Sequence, residues 1–279
     1  MNNIVIYKNE MGDTVEFSKR SGFFLTDFPL LSGLSIDVST SQSIDQLGGT
    51  IESQVVNPKT VTVKGFIQGD GTAGKQKLLQ VIRPLEKGRF TVNGQYSIDV
   101  VVSDTPTVER MRMFPQFDFG VTAPYPFWQR TEAGMTPVAG TIGMFRFPWY
   151  FIKSYTFGVL VKSYFSTIHN GGQIPTFYDL RITANGAAKN PEFMDVATGD
   201  FLKLNKTFSV GERVTISIRP DRVTAVSSTE GDIQGLIDID STLFSFRAGD
   251  TTLRYDAEEG KENLNVQLTL SDKFAGIVV

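Results

Sequence analysis

A single histidine limits the acid–base and metal chemistry that this chain of 279 residues can perform. A Ser-His-Asp triad and a histidine metal site would both have to use His169. That residue directly precedes the turn sequence Asn170-Gly171-Gly172, which favours an exposed turn residue over a base or a metal ligand. The chain has no cysteine, which excludes disulfides, thiolate metal sites and cysteine nucleophiles.

Two pairs of neighbouring carboxylates, Asp238 with Asp240 and Glu258 with Glu259, are the candidates for acid–base chemistry. A glycosidase needs two carboxylates that face each other across a cleft, and closeness in sequence does not provide this. The aspartates alternate with isoleucines in GLIDIDS (235–241), which predicts the polar face of a strand. We interpret both pairs as solvated surface residues, and no catalytic residue is predicted.

A glycine-rich stretch, GDGTAGKQ (69–76), loosely matches the phosphate-binding loop GxxxxGK[ST]. Gln76 stands where that motif has its magnesium-binding hydroxyl, and Asp70 would lie inside the anion cradle. The better interpretation is the start of a helix with Thr72 as N-cap. No cofactor and no metal are therefore expected.

Both tryptophans could stack on sugar rings, which would make the chain a carbohydrate-binding module for host wall glycans. Large aromatic residues more often fill core or interdomain space. The two aromatic segments that contain them, 123–130 and 145–151, flank a gap rich in small residues. We predict that four of their side chains pack at a domain junction: Phe127, Trp128, Phe147 and Trp149.

Charge and hydropathy exclude several classes of protein. The net charge is −3, and residues 1–130 hold 13 basic and 13 acidic side chains, so the basic surplus of a sequence-independent nucleic-acid binder is absent. No segment approaches the roughly 18 uncharged apolar residues of a membrane helix. The first residues show no signal-peptide pattern, so a non-secreted protein without membrane insertion is expected.

The elements that carry these residues are mostly strands. Alternation predicts an opening hairpin over residues 4–17 and a long hairpin made of 34–44 and 58–67, which would bury little and extend to a neighbour. Apolar spacing predicts one helix at 72–86, with Leu78, Ile82 and Leu85 on one face. Asn93-Gly94 predicts a type I′ turn within 89–102.

The second half is predicted to be a β-sandwich domain. TEAGMTPVAGTIGM (131–144) has the composition of a linker, so we predict a first domain at 1–132, a linker at 133–144 and a second domain at 145–279. Short alternating segments separated by turn residues predict its strands: 176–184, 200–208, 213–220, 222–226, 243–249, 251–257 and 263–272.

The ordered set of motifs resembles one family. The first half supplies VTVKGFIQGD (61–70), the helix and PYPFWQ (124–129), and the second supplies HNGGQIPTFYDLRITANGAAKNPEF (169–193), TGD and GE. In this order they resemble the distal tail proteins of siphophages that infect Gram-positive bacteria, with their prophage and tailocin relatives.

This resemblance implies a mainly β fold: a tail-tube-like domain with one helix and an extended hairpin, followed by a galectin-like β-sandwich. It implies a homohexameric ring that joins the tail tube to a tail-associated lysin or fibre hub and anchors receptor-binding or baseplate proteins. DNA only passes through the channel, no enzymatic activity is expected, and the protein would be located in the virion tail tip, after assembly in the host cytoplasm. The candidate ring-contact residues lie on the hairpin: Gln46, Thr50, Glu52 and Gln54.

One departure weakens the carbohydrate alternative. Galectin sugar sites place histidine, arginine, asparagine and tryptophan on one sheet face, and no such set surrounds His169 or Trp149. Sugar binding is therefore not carried over with the fold.

Overall fold

A computed structural model describes residues 3–109, 113–143, 158–161 and 164–278. The chain divides into two compact units, Met1–Thr131 with Phe274–Val279, and Glu132–Lys273. Strands dominate both, which confirms the prediction of a mainly β protein. Within the described residues there is one α-helix, α1 (Gly71–Val81), and three single-turn 3-10 helices, Pro29–Leu31, Gln234–Leu236 and Lys261–Asn263. None of these helices is long and apolar enough to span a membrane.

The first unit is built on one antiparallel sheet. The strands of this unit are β1 (Val5–Asn9), β2 (Thr14–Phe17), β3 (Phe23–Asp27), β4 (Ile36–Ser41), β5 (Thr50–Val56), β6 (Lys59–Ile67), β7 (Lys87–Val92), β8 (Tyr96–Val108), β9 (Gln116–Ala123) and β10 (Trp128–Arg130). Strands β4 and β5 form a separate two-stranded hairpin. The sheet follows the order β2-β1-β7-β8-β9-β6-β3, with β10 beside β8. A bridge between Ser18 and Phe23 connects β2 to β3, so the sheet curves until its ends meet.

Inward-facing side chains of this sheet form an aromatic core. The ring of Phe117 lies 5.9 Å from that of Phe17 and 6.3 Å from that of Phe119. Helix α1 packs on this core through Gly74, where an added Cβ would come within 2.7 Å of Ile67 Cδ1. The close approach of helix and sheet therefore requires a glycine at this position.

Helix α1 begins and ends earlier than predicted. Its N-cap is Asp70, whose carboxylate accepts a hydrogen bond of 2.8 Å from the backbone N–H of Thr72, the predicted cap. It ends at Val81 because Pro84 disfavours helical backbone at the residue before it. Leu85, predicted on the apolar face, is 88% exposed.

The long hairpin also differs from the prediction. Strand β4 pairs with β5, which lies between the two predicted strands, and not with residues 58–67. Residues 59–67 form β6, which lies between β9 and β3 in the main sheet. The buried side chains of Val63 and Ile67 explain the difference, because a two-stranded hairpin would leave them in water. The opening hairpin β1–β2 and the Asn93-Gly94 turn between β7 and β8 are confirmed.

The second unit contains two antiparallel sheets. Its strands are β11 (Gly134–Gly143), β12 (Gly158–Val161), β13 (Phe165–Asn170), β14 (Tyr178–Ala184), β15 (Ala188–Asp195), β16 (Phe201–Lys203), β17 (Thr207–Phe208), β18 (Arg213–Ile218), β19 (Val223–Ser227), β20 (Gly231–Asp232), β21 (Gly249–Glu259) and β22 (Leu264–Leu270). The last strand, β23 (Lys273–Phe274), belongs to the sheet of the first unit, where it pairs with β10. One sheet follows the order β12-β11-β22-β14-β18-β19-β20, and the other β13-β21-β15-β16 with β17 beside β15. Leu180 and Ile216 of the first sheet share one core with Phe193 and Leu253 of the second, which makes a sandwich.

Four segments of this unit differ from their predicted structure, and one of them, the predicted strand 200–208, is divided into β16 and β17. The predicted linker is a strand from Gly134 to Gly143, paired with β22, because backbone pairing depends little on its small side chains. The predicted strand at 235–241 is instead the end of a 3-10 helix and a turn. Of the predicted strand 243–249, only Phe246 forms a bridge, with Thr176, before β21 begins at Gly249. The division into a ring-forming domain and a galectin-like domain stays a prediction.

Candidate functional site

The most exposed ordered element of the first unit is the hairpin β4–β5, which pairs with no other described strand. All residues of β4 and all of β5 except the half-buried Val56 are exposed. Six of its aliphatic side chains are more than half exposed: Ile36, Val38, Ile44, Leu47, Ile51 and Val55. A hairpin with free edges and exposed aliphatic side chains is marginal by itself and suited to pairing with another chain.

The four predicted contact residues all lie on this hairpin. Gln46 is used inside the loop: its Oε1 accepts from the Ser43 N–H at 3.0 Å, and its Nε2 donates to Thr50 Oγ1 at 3.1 Å. Glu52 and Gln54 are exposed on β5. The aliphatic side chains around them were not predicted as contact residues, although Ile36 and Val38 alternate with polar residues in the sequence. The part that these residues play between subunits stays a prediction.

Lys59 fixes the base of the hairpin to the main sheet. Its Nζ donates to the carbonyl oxygens of Leu30 and Gly33, both at 3.3 Å, and also to that of Ser32. Burial lowers the pKa of Lys59. The ammonium satisfies three carbonyls of the chain that enters the hairpin, so it holds the direction in which the hairpin leaves the sheet.

The hairpin differs in charge from the rest of its unit. Residues 34–58 include Asp37, Asp45 and Glu52 but no lysine or arginine. Residues 1–130 hold 13 basic and 13 acidic side chains in all, so the part of this segment outside residues 34–58 holds 13 basic and 10 acidic ones. The two parts are therefore opposite in net charge, which is the condition for attraction between one copy and the next.

His169 lies in strand β13 and not in the predicted turn, but it is exposed as expected. Its Nδ1 is 2.6 Å from the carboxylate of Asp250 on β21. The turn that follows is held by Asn170, whose buried amide donates to the carbonyl oxygens of Ile174 and Phe246. An exposed pair of this kind contributes little to stability.

The other candidate residues make structural contacts. Glu258 pairs with Lys189 at 2.9 Å, and Asp238 accepts a hydrogen bond of 2.9 Å from Asn205. At the glycine-rich stretch, the carboxylate of Asp70 occupies the helix N-terminus that a phosphate would need. No group of three or more His, Asp or Glu side chains in the described ranges could hold a metal ion.

Trp128 belongs to the core of the first unit. It is buried, and its Nε1 donates to the Leu30 carbonyl oxygen at 3.3 Å. Phe127 is half-buried, with its ring 4.9 Å from that of Tyr125. Phe147 and Trp149 lie outside the described residues. The packing of the four side chains at a domain junction stays a prediction.

A buried ion pair in the second unit was not predicted. Lys206 Nζ lies 3.1 Å from Glu212, with both side chains 2% exposed, and also contacts Glu230. Burial raises the pKa of Glu212, but its hydrogen bonds lower it by more, to about 2. The donors are the Ser227 and Thr229 hydroxyls, the Ser209 N–H and Lys206. The VGER sequence (210–213) gives no sign of this cluster, because most partners of Glu212 come from other segments of the chain, 206–209 and 227–230.

Comparison with known proteins finds a match for the region that contains this cluster. Residues 171–271, within the second unit, match the family model of the siphovirus-type tail component, C-terminal domain. No curated protein matches the chain in sequence. The matched family consists of structural tail components and not of enzymes.

Solved structures extend the likeness to the whole chain at the level of the fold. The Dit protein (gp 19.1) of phage SPP1, described as a paradigm of the hub adsorption apparatus of phages that infect Gram-positive bacteria, has a TM-score of 0.67 at 14% identity, covering 97% of this chain and 99% of that one. A chain of the phage P2 baseplate in its activated conformation has a TM-score of 0.54 at 12% identity, covering 99% and 100%. The resemblance drawn from the sequence is confirmed.

Proposed function

We propose that this chain, whose residues 171–271 match the C-terminal domain of siphovirus-type tail components, is the hub of a siphophage tail tip. Six copies form a ring through their first units, and the ring joins the tail tube to a tail-associated lysin or fibre hub. Receptor-binding or baseplate proteins attach to it, and DNA passes through its channel. The protein assembles in the host cytoplasm and is then part of the virion.

The observation that carries this proposal is the fold likeness over 97% of the chain to a phage hub protein. The exposed hairpin β4–β5 supports self-assembly, because its strand edges and aliphatic side chains have no partner among the described residues of its own chain. A ring closes when each surface meets a different surface of the next copy. The sandwich of the second unit supports the galectin-like assignment and leaves its outer surface for attached proteins.

Replacing residues 38–54 by a two-residue Asn-Gly turn tests the proposal. The shortened chain should keep its fold and lose the ring, because the main sheet does not include β4 or β5. Negative-stain imaging and light scattering of the free protein, together with tails from phage that carry each version, measure the result.

A chain with Glu52→Ala and Gln54→Ala is the milder variant, and one with Thr60→Ala and Thr122→Ala is its control in the main sheet. The proposal is wrong if tails assemble normally with the shortened chain and no ring of this protein is present in them.

A further inference from the structure

A β-bulge interrupts the pairing of β4 with β5. Ser39 lies opposite Ser53, and the next residue of β4, Thr40, lies opposite Ile51, so Glu52 is an extra residue in the register. An extra residue reverses the alternation of side chains along the bulged strand. Ile51 and Val55 would share one face of a regular strand, and here they lie on opposite faces.

The bulge collects aliphatic side chains on one face of the hairpin. Residues directly opposite each other on paired strands share a face. One face therefore holds Ile36, Val38 and Thr40 with Val56, Gln54 and Ile51. The other holds Asp37, Ser39 and Ser41 with Val55, Ser53 and Thr50. The first face is mostly aliphatic, and we name it the aliphatic face; the second is mostly polar.

Charge indicates what covers this face. Residues 34–58 contain three acidic and no basic side chains, whereas the rest of residues 1–130 contains 13 basic and 10 acidic ones. A second copy of the same chain therefore offers a surface of opposite net charge to the hairpin. The hairpin cannot meet an identical hairpin on these terms, because like charges would face each other.

We infer that the bulge at Glu52 selects the contact face of the hairpin, so that the aliphatic face packs on the first unit of a second copy. The inference rests on the proposed ring. The polar face, with Val55, stays in solvent within the assembly. Burial of aliphatic side chains stabilises the contact but does not fix the orientation of the hairpin, and the bulge fixes it by placing Ile51 on the same face as Ile36 and Val38.

Two substitutions with equal starting exposure separate the faces. Ile51 and Val55 are each 56% exposed on the same strand. In the full-length protein, Ile51→Ser should raise the concentration needed for ring formation roughly tenfold or more, and Val55→Ser should leave it within about twofold. Analytical ultracentrifugation measures this concentration, and calorimetry confirms that both variants remain folded.

Four results would overturn the inference. An equal loss in both variants would mean that the contact does not distinguish the faces, and a loss with Val55→Ser alone would mean that the polar face makes it. Rings formed by both variants at the wild-type concentration would remove the face assignment and leave the proposed hub intact. A wild-type chain that forms no ring at any concentration would overturn both the inference and the proposed function.

Discussion

Lys206 and Glu212 form a buried ion pair in the second unit. Glu212 is buried beside Lys206 and accepts hydrogen bonds from two hydroxyls and a backbone amide, which together lower its pKa to about 2 despite its burial. Burial lowers the pKa of Lys206, but the hydrogen bonds to Glu230 and Glu212 and the charges of both carboxylates raise that pKa by more. These contacts stabilise two charges that would otherwise be costly to bury.

Acid should therefore destabilise the second unit through Glu212. Its pKa is about 2 in the folded protein and 4.5 ordinarily, so its contribution is complete above pH 4.5 and is lost as the pH falls towards 2. Glu212→Gln should lower the unfolding free energy at pH 7 by about 3 kcal/mol, since it leaves Lys206 with less compensation. The difference from wild type should shrink below pH 4.5. Calorimetry from pH 7 to pH 3 measures it.

Glu230→Gln is the matched control, because Glu230 contacts the same lysine while 54% of its side chain is exposed. Its effect at pH 7 should be below about 1 kcal/mol. Equal losses for the two variants, or a Glu212→Gln difference that does not change with pH, would contradict the assignment.

At the scale of elements, the hairpin β4–β5 depends on how it is anchored. Its strands bury almost nothing, so its position is set where the chain enters and leaves the main sheet. Lys59, the first residue of β6, satisfies carbonyl oxygens of the entering segment 30–33. An element with few buried contacts opens at low free-energy cost unless such an anchor holds it.

Lys59→Met should loosen the hairpin without unfolding the sheet. The three carbonyls lose their donor, and we expect amide exchange in residues 34–58 to become about tenfold faster. Hydrogen exchange with mass spectrometry measures the change. Lys64→Met, on an exposed position of the same strand, is the control and should leave exchange in 34–58 unaltered. Similar exchange in wild type and Lys59→Met would show that the anchor lies elsewhere.

At the scale of the whole molecule, an acidic hairpin projects from a first unit that is otherwise basic, in a chain of net charge −3. Opposite charges on donor and acceptor surfaces accelerate association and orient it. Such attraction weakens as salt is added, because the screening length falls to about 8 Å at physiological ionic strength.

Assembly should accordingly slow as the salt concentration rises. Asp45→Lys with Glu52→Lys should slow association about tenfold at low salt and reduce its salt dependence. Asp221→Lys with Asp240→Lys changes the net charge equally on the second unit and should have less effect. Stopped-flow light scattering measures the rates. Equal effects of the two double variants would mean that net charge, and not the hairpin, controls association.

The sequence by itself determined the fold class, the opening hairpin, the strands β14, β18, β19, β21 and β22, and the family resemblance. These depend on local alternation and on turn residues such as Asn93-Gly94, which act over a few neighbouring positions. The absence of cysteine and the presence of a single histidine likewise limited the chemistry that the chain can perform.

Only the tertiary structure decided which strands pair and where side chains from distant segments meet. Segment 59–67 joins the main sheet because burial of Val63 and Ile67 against that sheet, and not local pattern, selects its partners, and this leaves 50–56 to pair with β4. The Lys206–Glu212 pair and the Lys59 anchor each join residues from separate segments. The bulge at Glu52, which assigns Ile51 to one face, is a property of the register between two strands, and a register exists only once both strands are placed.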